Sequence, residues 1–579
     1  MSDAVAIALG AATPLGEGER ALPIGGIGER ARVAITDDAT LRASGLARCA
    51  AARVAGERGP DAATELLFVA LDACAARLDV ASPRWRERRV GFVVGSSSGA
   101  MASAELAYQA LAEGRAPSIA AARGLAYADP FLAARARLGL PLAREAHVLA
   151  ACASSTIALG LAHAWLEDDT CDVVLAGGYD ALTLFVAAGF SALLAVTASK
   201  PRPFTLERDG LALSEGAAIV ALVRARDVPI AVAPLAVIAG FAMTTDAVHL
   251  TAPDREGASL SAAITVALER ARVAPAEVGA IGAHATATPY NDGSEARAFA
   301  RALPAGVAVH APKAAVGHLL GAAGVVETMA LARGLTDRVA LPSAGEGTAD
   351  PDAPARLTRV GTPSDASVAV KTSLAFGGVN AVLVLREGAR VDEAPQSARR
   401  TPRVCATSAS ELAGSLDELA TRAGVRVERL ARLDPLSLVV VDAIAELARE
   451  VGRERIARAA LVVGHDVATV ATNATYWSRI AARGARFAEP RRFPYTSPNA
   501  CAGEAALLFG IRGPTLAVGG APGLASQAVD VARDLLAAGL VDEAIAVEAT
   551  EASPAATALL AAFDEPPRPT HALARLLSA

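Results

Sequence analysis

The run Val148-Leu149-Ala150-Ala151-Cys152-Ala153-Ser154-Ser155-Thr156 brings a thiol to the end of a short apolar stretch, with small residues directly behind it. An apolar helical pattern follows through Ile157, Leu159, Leu161, Ala162, Trp165 and Leu166. The segment predicts a buried strand, a sharp turn and a helix, with the thiol in the helix's first turn. Unpaired N–H groups there carry partial positive charge, which favours thiolate over thiol and so covalent catalysis. The other reading is a small buried hydrophobe, the usual fate of a free cysteine. By itself the segment favours this second reading and does not decide for the first.

Three later segments do. They are Gly282-Ala283-His284-Ala285-Thr286-Ala287-Thr288-Pro289-Tyr290-Asn291-Asp292-Gly293-Ser294-Glu295, then Pro312-Lys313-Ala314-Ala315-Val316-Gly317-His318-Leu319-Leu320-Gly321-Ala322-Ala323-Gly324 running on to Glu327, then Lys371-Thr372-Ser373-Leu374-Ala375-Phe376-Gly377-Gly378-Val379-Asn380. With Cys152 ahead of them in this order, they resemble a β-ketoacyl-acyl carrier protein synthase of the thiolase superfamily, over roughly residues 3–388. The resemblance implies a decarboxylative Claisen condensation. An acyl group moves from carrier-protein phosphopantetheine to the thiol, a malonyl-type extender loses carbon dioxide, and the carbanion attacks the thioester. It assigns Cys152 as nucleophile and the backbone N–H groups of Cys152 and Phe376 as the oxyanion hole, where one donor is worth about 2.7–4 kcal/mol. His284 and His318 would donate to the enolate oxygen. Lys313 would orient the site electrostatically and pair with an acid, and Glu327 would support it, either in catalysis or only by tying loops together. Thr286 and Thr288, alternating in an extended stretch, would present both hydroxyls to the pantetheine arm. Phe376, beside two glycines, would gate the acyl pocket.

Motif context singles out two of the eight histidines. His147, His163, His249, His310, His465 and His571 keep a structural reading, whereas His284 and His318 lie 34 positions apart, each in its own glycine-containing motif. Several positions depart from the family pattern. Ala285 stands where glycine is usual, Leu374-Ala375 replaces Phe-Gly, Val379 replaces threonine, and Lys371 takes the place of a small polar residue. They add bulk near the gate and remove no reacting group.

The elements that must position these groups follow from pattern. Short β-type runs (90–94, 172–176, 218–223, 280–283, 367–370) alternate with Ala-rich helical stretches (62–78, 153–167, 258–272, 318–333). That alternation predicts an α/β fold with strands buried on both faces. The resemblance implies a thiolase-like five-layered αβαβα sandwich of two similar halves, residues 1–230 with the nucleophile and 231–388 with the two histidines. A charged stretch with two prolines, 389–402, reads as a linker. Residues 403–579 read as a degenerate half-domain repeating the first half. Ser497-Pro498-Asn499-Ala500-Cys501-Ala502-Gly503 and Phe509-Gly510-Ile511-Arg512-Gly513-Pro514-Thr515 look like a lead-in to a nucleophile, but the position nine after Gly513 is Pro522. Such a module needs a partner surface, either residues 1–388 or another subunit.

The 579 residues exceed one compact core, and 53 % hydrophobic content with 4 % aromatics puts packing on Ala, Val and Leu. A net charge of −6 gives no reason to expect nucleic acid or an anionic membrane. Six dispersed cysteines form no C-x-x-C pair, so neither a metal site nor a disulfide framework is indicated, and a reducing, cytoplasmic setting fits. The N-terminus reads as a first strand and not a signal peptide. No bound cofactor is expected, because the substrates travel on the carrier's phosphopantetheine. The expected partners are acyl carrier protein and a second subunit, as a homodimer or as a heterodimer with a ketosynthase-like chain. A non-catalytic chain-length-determining partner is the alternative function. The cysteine and both histidines argue against it for residues 1–388, and it remains the better account of residues 403–579. A loading decarboxylase would carry a different side chain at position 152.

Overall fold

The computed structural model describes residues 3–56, 58–390, 402–412 and 414–579. Most of the stretch read as a linker, residues 391–401, lies outside the described residues. The main strands are β1 (Ala4–Thr13), β2 (Val90–Gly95), β3 (Arg144–Leu149), β4 (Val173–Asp180), β5 (Gly216–Arg224), β6 (Ala236–Thr245), β7 (Ala280–Gly282), β8 (Ala308–His310), β9 (Val368–Ala375), β10 (Val379–Arg386), β11 (Arg403–Ser410), β12 (Ala460–His465), β13 (Thr515–Gly519), β14 (Glu543–Thr550) and β15 (His571–Ser578). The helices that matter below are α1 (Ala62–Ala81), α2 (Ser154–Glu167), α3 (Ala258–Ala271), α4 (Pro289–Ala302), α5 (Ala323–Thr336), α6 (Pro435–Val451), α7 (Ala500–Phe509) and α8 (Gln527–Ala537).

One strand order occurs three times. The first unit runs β3-β2-β4-β5-β1, with β2, β3 and β4 parallel and β5 and β1 antiparallel. The second repeats it as β8-β7-β9-β10-β6. The third repeats it again as β13-β12-β14-β15-β11. The parallel strands are buried on both faces, so they are continuous runs of Val, Leu, Ala and Gly rather than alternating ones.

Helices α2 and α5 lie between the first two sheets, α1 packs outside the first, and α3 and α4 outside the second, giving the five layers. Helix α2 is buried nearly throughout, which is why residues 148–166 are so apolar. Gly160 lets it approach the second sheet: a Cβ there would fall 2.4 Å from the Phe241 ring. Among the described residues no helix is long and apolar enough to cross a membrane.

The third unit continues the first sheet. β13 pairs antiparallel with β3, Ala517 opposite Leu149 and Val518 opposite Val148. This edge strand of the first unit leads straight to Cys152. Around the seam, the His147 Nδ1–H donates to the Gly519 carbonyl at 2.7 Å while the Tyr179 hydroxyl donates to His147 Nε2 at 3.0 Å. The indole N–H of Trp165 donates to Asp534 at 2.8 Å, and Arg144 is ion-paired with the same carboxylate. The two units therefore face each other like two subunits about a twofold axis, within one chain.

Candidate active site

β3 ends at Leu149, a 3₁₀ turn covers Ala151–Ala153, and α2 starts at Ser154, so Cys152 sits on the tip between strand and helix. Ala151 holds φ +47°, a left-handed conformation costly for a side chain and frequent at sites that need a tight, defined turn. Ser154 Oγ fixes the turn by accepting from the Ala150 N–H at 2.9 Å and lying 2.7 Å from the Ala151 carbonyl oxygen. Burial pushes the Cys152 thiol up to about 12, against the opposing pull of the Lys313 charge and of its own amide. The thiolate expected from the helix start is therefore not the resting form. Desolvation outweighs the helix end.

The sulfur and one ring nitrogen each of His284 and His318 lie within 4.8 Å of one another, and all three residues are buried. Among the described residues this is also the set close enough to share a metal ion. The two imidazoles meet edge to face, with ring centroids 5.4 Å apart. His318 Nδ1 accepts from the Leu320 N–H at 3.1 Å, which places its proton on Nε2. That Nε2–H is buried and has no protein partner, as is His284 Nδ1. Burial first, then Lys313, holds both rings well below the usual imidazole range. They are neutral near pH 7, and the unpartnered His318 N–H is a donor awaiting an acceptor.

Beneath the histidines lies a buried ionic cluster. Lys313 Nζ stands 2.6 Å from one oxygen of Glu327 and Lys371 Nζ 3.0 Å from the other; all three are at most 1 % exposed. Lys371 also donates to Ser373 Oγ at 3.1 Å, and Ser373 Oγ lies 2.8 Å from Thr156 Oγ1 on α2. The sequence marked Lys371 only as a departure. In the fold it is a second basic group on Glu327, tied to the helix that follows Cys152.

Two carboxylates were missed as site residues. Glu295 on α4 accepts from the backbone N–H groups of His284 (2.7 Å) and Ala285 (2.6 Å), from Thr372 Oγ1 (2.8 Å) and from Asn291 Nδ2 (2.9 Å). Asp180, ending β4, accepts from Ser96 Oγ, the Ser97 and Ser98 N–H groups and the Gly321 N–H, thereby tethering the loop after His318. The available signal was an acid placed among small or apolar residues, Gly-Ser-Glu-Ala at 293–296 and Gly-Gly-Tyr-Asp at 177–180. Glu295→Ala removes the acceptor that four buried donors share and leaves the backbone N–H groups of His284 and Ala285 without one, so it is expected to cost on the order of 3 kcal/mol or more of stability. Thermal melting reads that loss, and malonyl decarboxylation should fall further than Cys152 acylation because His284 is the group set loose.

The Beta-ketoacyl synthase N-terminal domain family matches residues 58–228, and the Beta-ketoacyl synthase C-terminal domain family matches residues 235–345. The 3-oxoacyl-[acyl-carrier-protein] synthase 2 of Staphylococcus aureus (strain COL) is 30 % identical over 320 residues, covering 52 % of this chain and 75 % of that protein. The chain belongs to the β-ketoacyl synthase family. Among solved structures, the ishigamide ketosynthase/chain length factor is 26 % identical with a TM-score of 0.61, covering 66 % of this chain and 99 % of that one. The PfaC keto synthase-chain length factor shares the fold across 100 % of this chain and 78 % of its own, at TM-score 0.79 and 16 % identity.

In this ketosynthase-family chain, a cavity of about 850 Å³ leads from the surface to Cys152, His284 and His318, and Thr286, Thr288 and Phe376 line it. The hydroxyls of Thr286 and Thr288 lie 2.9 Å apart. The backbone that brings them together is not a plain extended strand: Ala285 and Ala287 take φ +46° and +57°. The first value explains why glycine is usual at position 285. A second, much smaller cavity of about 40 Å³ lies beside Cys152, and Phe190 and Phe376 border both. Phe185, Met101 and Tyr127 continue its wall, and the C-terminal module closes it with Phe493, Thr496 and Ser497.

Proposed function

We propose that the chain is a β-ketoacyl-acyl carrier protein synthase that condenses a carrier-bound acyl chain with malonyl-acyl carrier protein. The observation that carries this reading is the meeting of Cys152 sulfur with His284 and His318 nitrogens within 4.8 Å. The sulfur attacks the acyl thioester carbonyl, the bond to the carrier thiol breaks, and the cysteine proton passes by way of an imidazole to the departing thiolate. Malonyl thioester then takes the entrance cavity. Its C–C bond to the carboxylate breaks, carbon dioxide leaves, and the charge moves to the thioester oxygen, where the His318 Nε2–H and His284 donate. The enolate carbon attacks the acyl-cysteine carbonyl, whose oxyanion is held by the N–H groups of Cys152 and Phe376. Collapse releases the cysteine sulfur, which regains a proton.

Acyl carrier protein is the proposed partner, with Thr286 and Thr288 on its pantetheine arm and no bound cofactor of the enzyme's own. Lys313 and Glu327 keep the site's charge balanced, and Phe376 gates the smaller cavity. The chain-length-determining reading is favoured for residues 403–579 alone. Pro522 stands at the nucleophile position there, β13 takes the edge that a second subunit would need, and Phe493 closes the small cavity. The chain thus carries a built-in counterpart and acts without another ketosynthase-like subunit. The six unpaired cysteines support a cytoplasmic setting.

Purified chain alone, given acyl- and malonyl-carrier thioesters, is expected to release carbon dioxide and form 3-ketoacyl-carrier, read by intact mass. Product that forms only after a second ketosynthase-like subunit is added would refute the reading of a self-sufficient enzyme.

A further inference from the structure

The C-terminal module touches the gate loop directly. Asn499, 1 % exposed at the seam, donates from Nδ2 to the Phe376 carbonyl oxygen at 2.7 Å. Ser497 Oγ donates to Asn499 Oδ1 at 2.6 Å, which fixes which end of the amide faces the gate. The backbones are equally close. A Cβ on Gly503 of α7 would stand 2.7 Å from Gly377 Cα, and a Cβ on Gly377 would stand 2.8 Å from Asn499 Nδ2. From the other side, the Gly377 N–H donates to the Leu250 carbonyl at 2.7 Å and the Asp246 N–H donates to the Gly378 carbonyl at 2.8 Å. The Phe376 ring rests 5.7 Å from Phe190, itself 5.3 Å from Phe493 of the module.

Gly377 and Gly378 hold φ +88° and +77°, so the loop has the backbone freedom to swing the ring away. Any such swing turns the Phe376 carbonyl and strains or breaks the bond from Asn499. The module therefore opposes opening at one named atom, in addition to walling the cavity.

We propose that Asn499 is a positioning residue for condensation, a latch by which the C-terminal module holds the Phe376 gate closed over the acyl cavity. The proposal rests on the gate reading above. A long acyl chain on Cys152 must break the latch to enter the cavity; a two-carbon chain need not. Asn499 reaches no reacting atom and acts through Phe376.

The test is the rate of Cys152 acylation by octanoyl- and acetyl-carrier thioesters, read by intact mass on the full chain. Asn499→Asp keeps the size of the side chain, removes the donor and sets a carboxylate against the carbonyl. Its octanoyl-to-acetyl rate ratio is expected to rise about fivefold, the worth of one net hydrogen bond. Phe376→Ala should raise the ratio by itself, and adding Asn499→Asp to it should change the ratio by less than about twofold, because with the ring gone the bond to the carbonyl has no gate to hold. A purely structural role would slow both thioesters together and leave the ratio alone. An unchanged ratio in Asn499→Asp, or its full effect persisting in the Phe376→Ala background, overturns the latch. Should Asn499 variants fail to fold, Ser497→Ala frees the amide to turn over and is expected to raise the ratio about twofold; an unchanged ratio there overturns the proposal equally. Absence of any Cys152 acylation in the unmodified chain would instead strike at the condensing reading itself.

Discussion

Cys152→Ala is expected to abolish the covalent acyl adduct and to lower condensation by on the order of 10⁴-fold or more, since no other group can carry the acyl chain between the two half-reactions. Peptide mapping of the unmodified enzyme should place the adduct on Cys152 and leave Cys501 free. Cys501 looks superficially alike, with its sulfur 3.7 Å from His465 Nε2. It is buried in the module, however, where burial raises its thiol well above the usual range, and neither cavity described above includes it. Malonyl decarboxylation should survive in the alanine variant because both imidazoles and the entrance cavity remain. An undiminished adduct in Cys152→Ala, or an adduct mapping to Cys501, removes the nucleophile assignment. The ionisation state adds a further expectation. A thiol held near 12 by burial is a poor nucleophile until a substrate carbonyl arrives and its proton can pass to a ring nitrogen. Small alkylating reagents should therefore modify Cys152 slowly in the neutral range, and faster as pH rises.

The chemistry of this site was legible where it is local in sequence. A strand running into small residues and then a helix can only present the middle residue at a tip, and Cys152 is there. The helix expected from residue 318 starts later: a 3₁₀ turn at Leu320–Ala322 intervenes before α5, and there the Leu320 N–H donates to His318 Nδ1. What the chain does not disclose is contact between distant residues. Glu295 and Asp180 matter because each gathers donors from several loops. Lys371 matters because Glu327, forty-four positions back, has a second oxygen to offer. The thiol was misjudged for a related reason. Position at a helix start is local, whereas the desolvation that outweighs it comes from the whole fold. The repeat within residues 403–579 was visible as a pattern, but its partner surface was not. The register of β13 on β3, with the contacts around that seam, shows that the module docks on its own chain.

His284→Ala and His318→Ala are each expected to cut carbon dioxide release from malonyl-carrier thioester by about 10²–10³-fold, the usual worth of one donor to a developing oxyanion. Acylation of Cys152 should persist in both, slowed where that ring also takes the thiol proton. His318 is the stronger case, because its tautomer is set by Leu320 and its Nε2–H has no competing partner. The pH profile separates this role from that of a protonated acid. Both rings are held well below their usual 6.5 by burial and by Lys313, so they remain neutral donors as pH falls through that value. Decarboxylation by the unmodified enzyme should therefore show no step near 6.5, whereas imidazolium donors would produce a steep one. Stability follows the opposite limb. A histidine whose folded pKa is depressed binds its proton more readily when unfolded, so the unfolded state gains protons first as pH drops below 6.5. His147, His163, His310 and His465 share the depression, each lowered to about 4, so the melting temperature should decline progressively below pH 6.5 while the per-molecule rate does not. Normal decarboxylation in both alanine variants would remove the two-histidine mechanism, and a rate that tracks a single ionisation at 6.5 would mean that the rings work as cations and not as neutral donors.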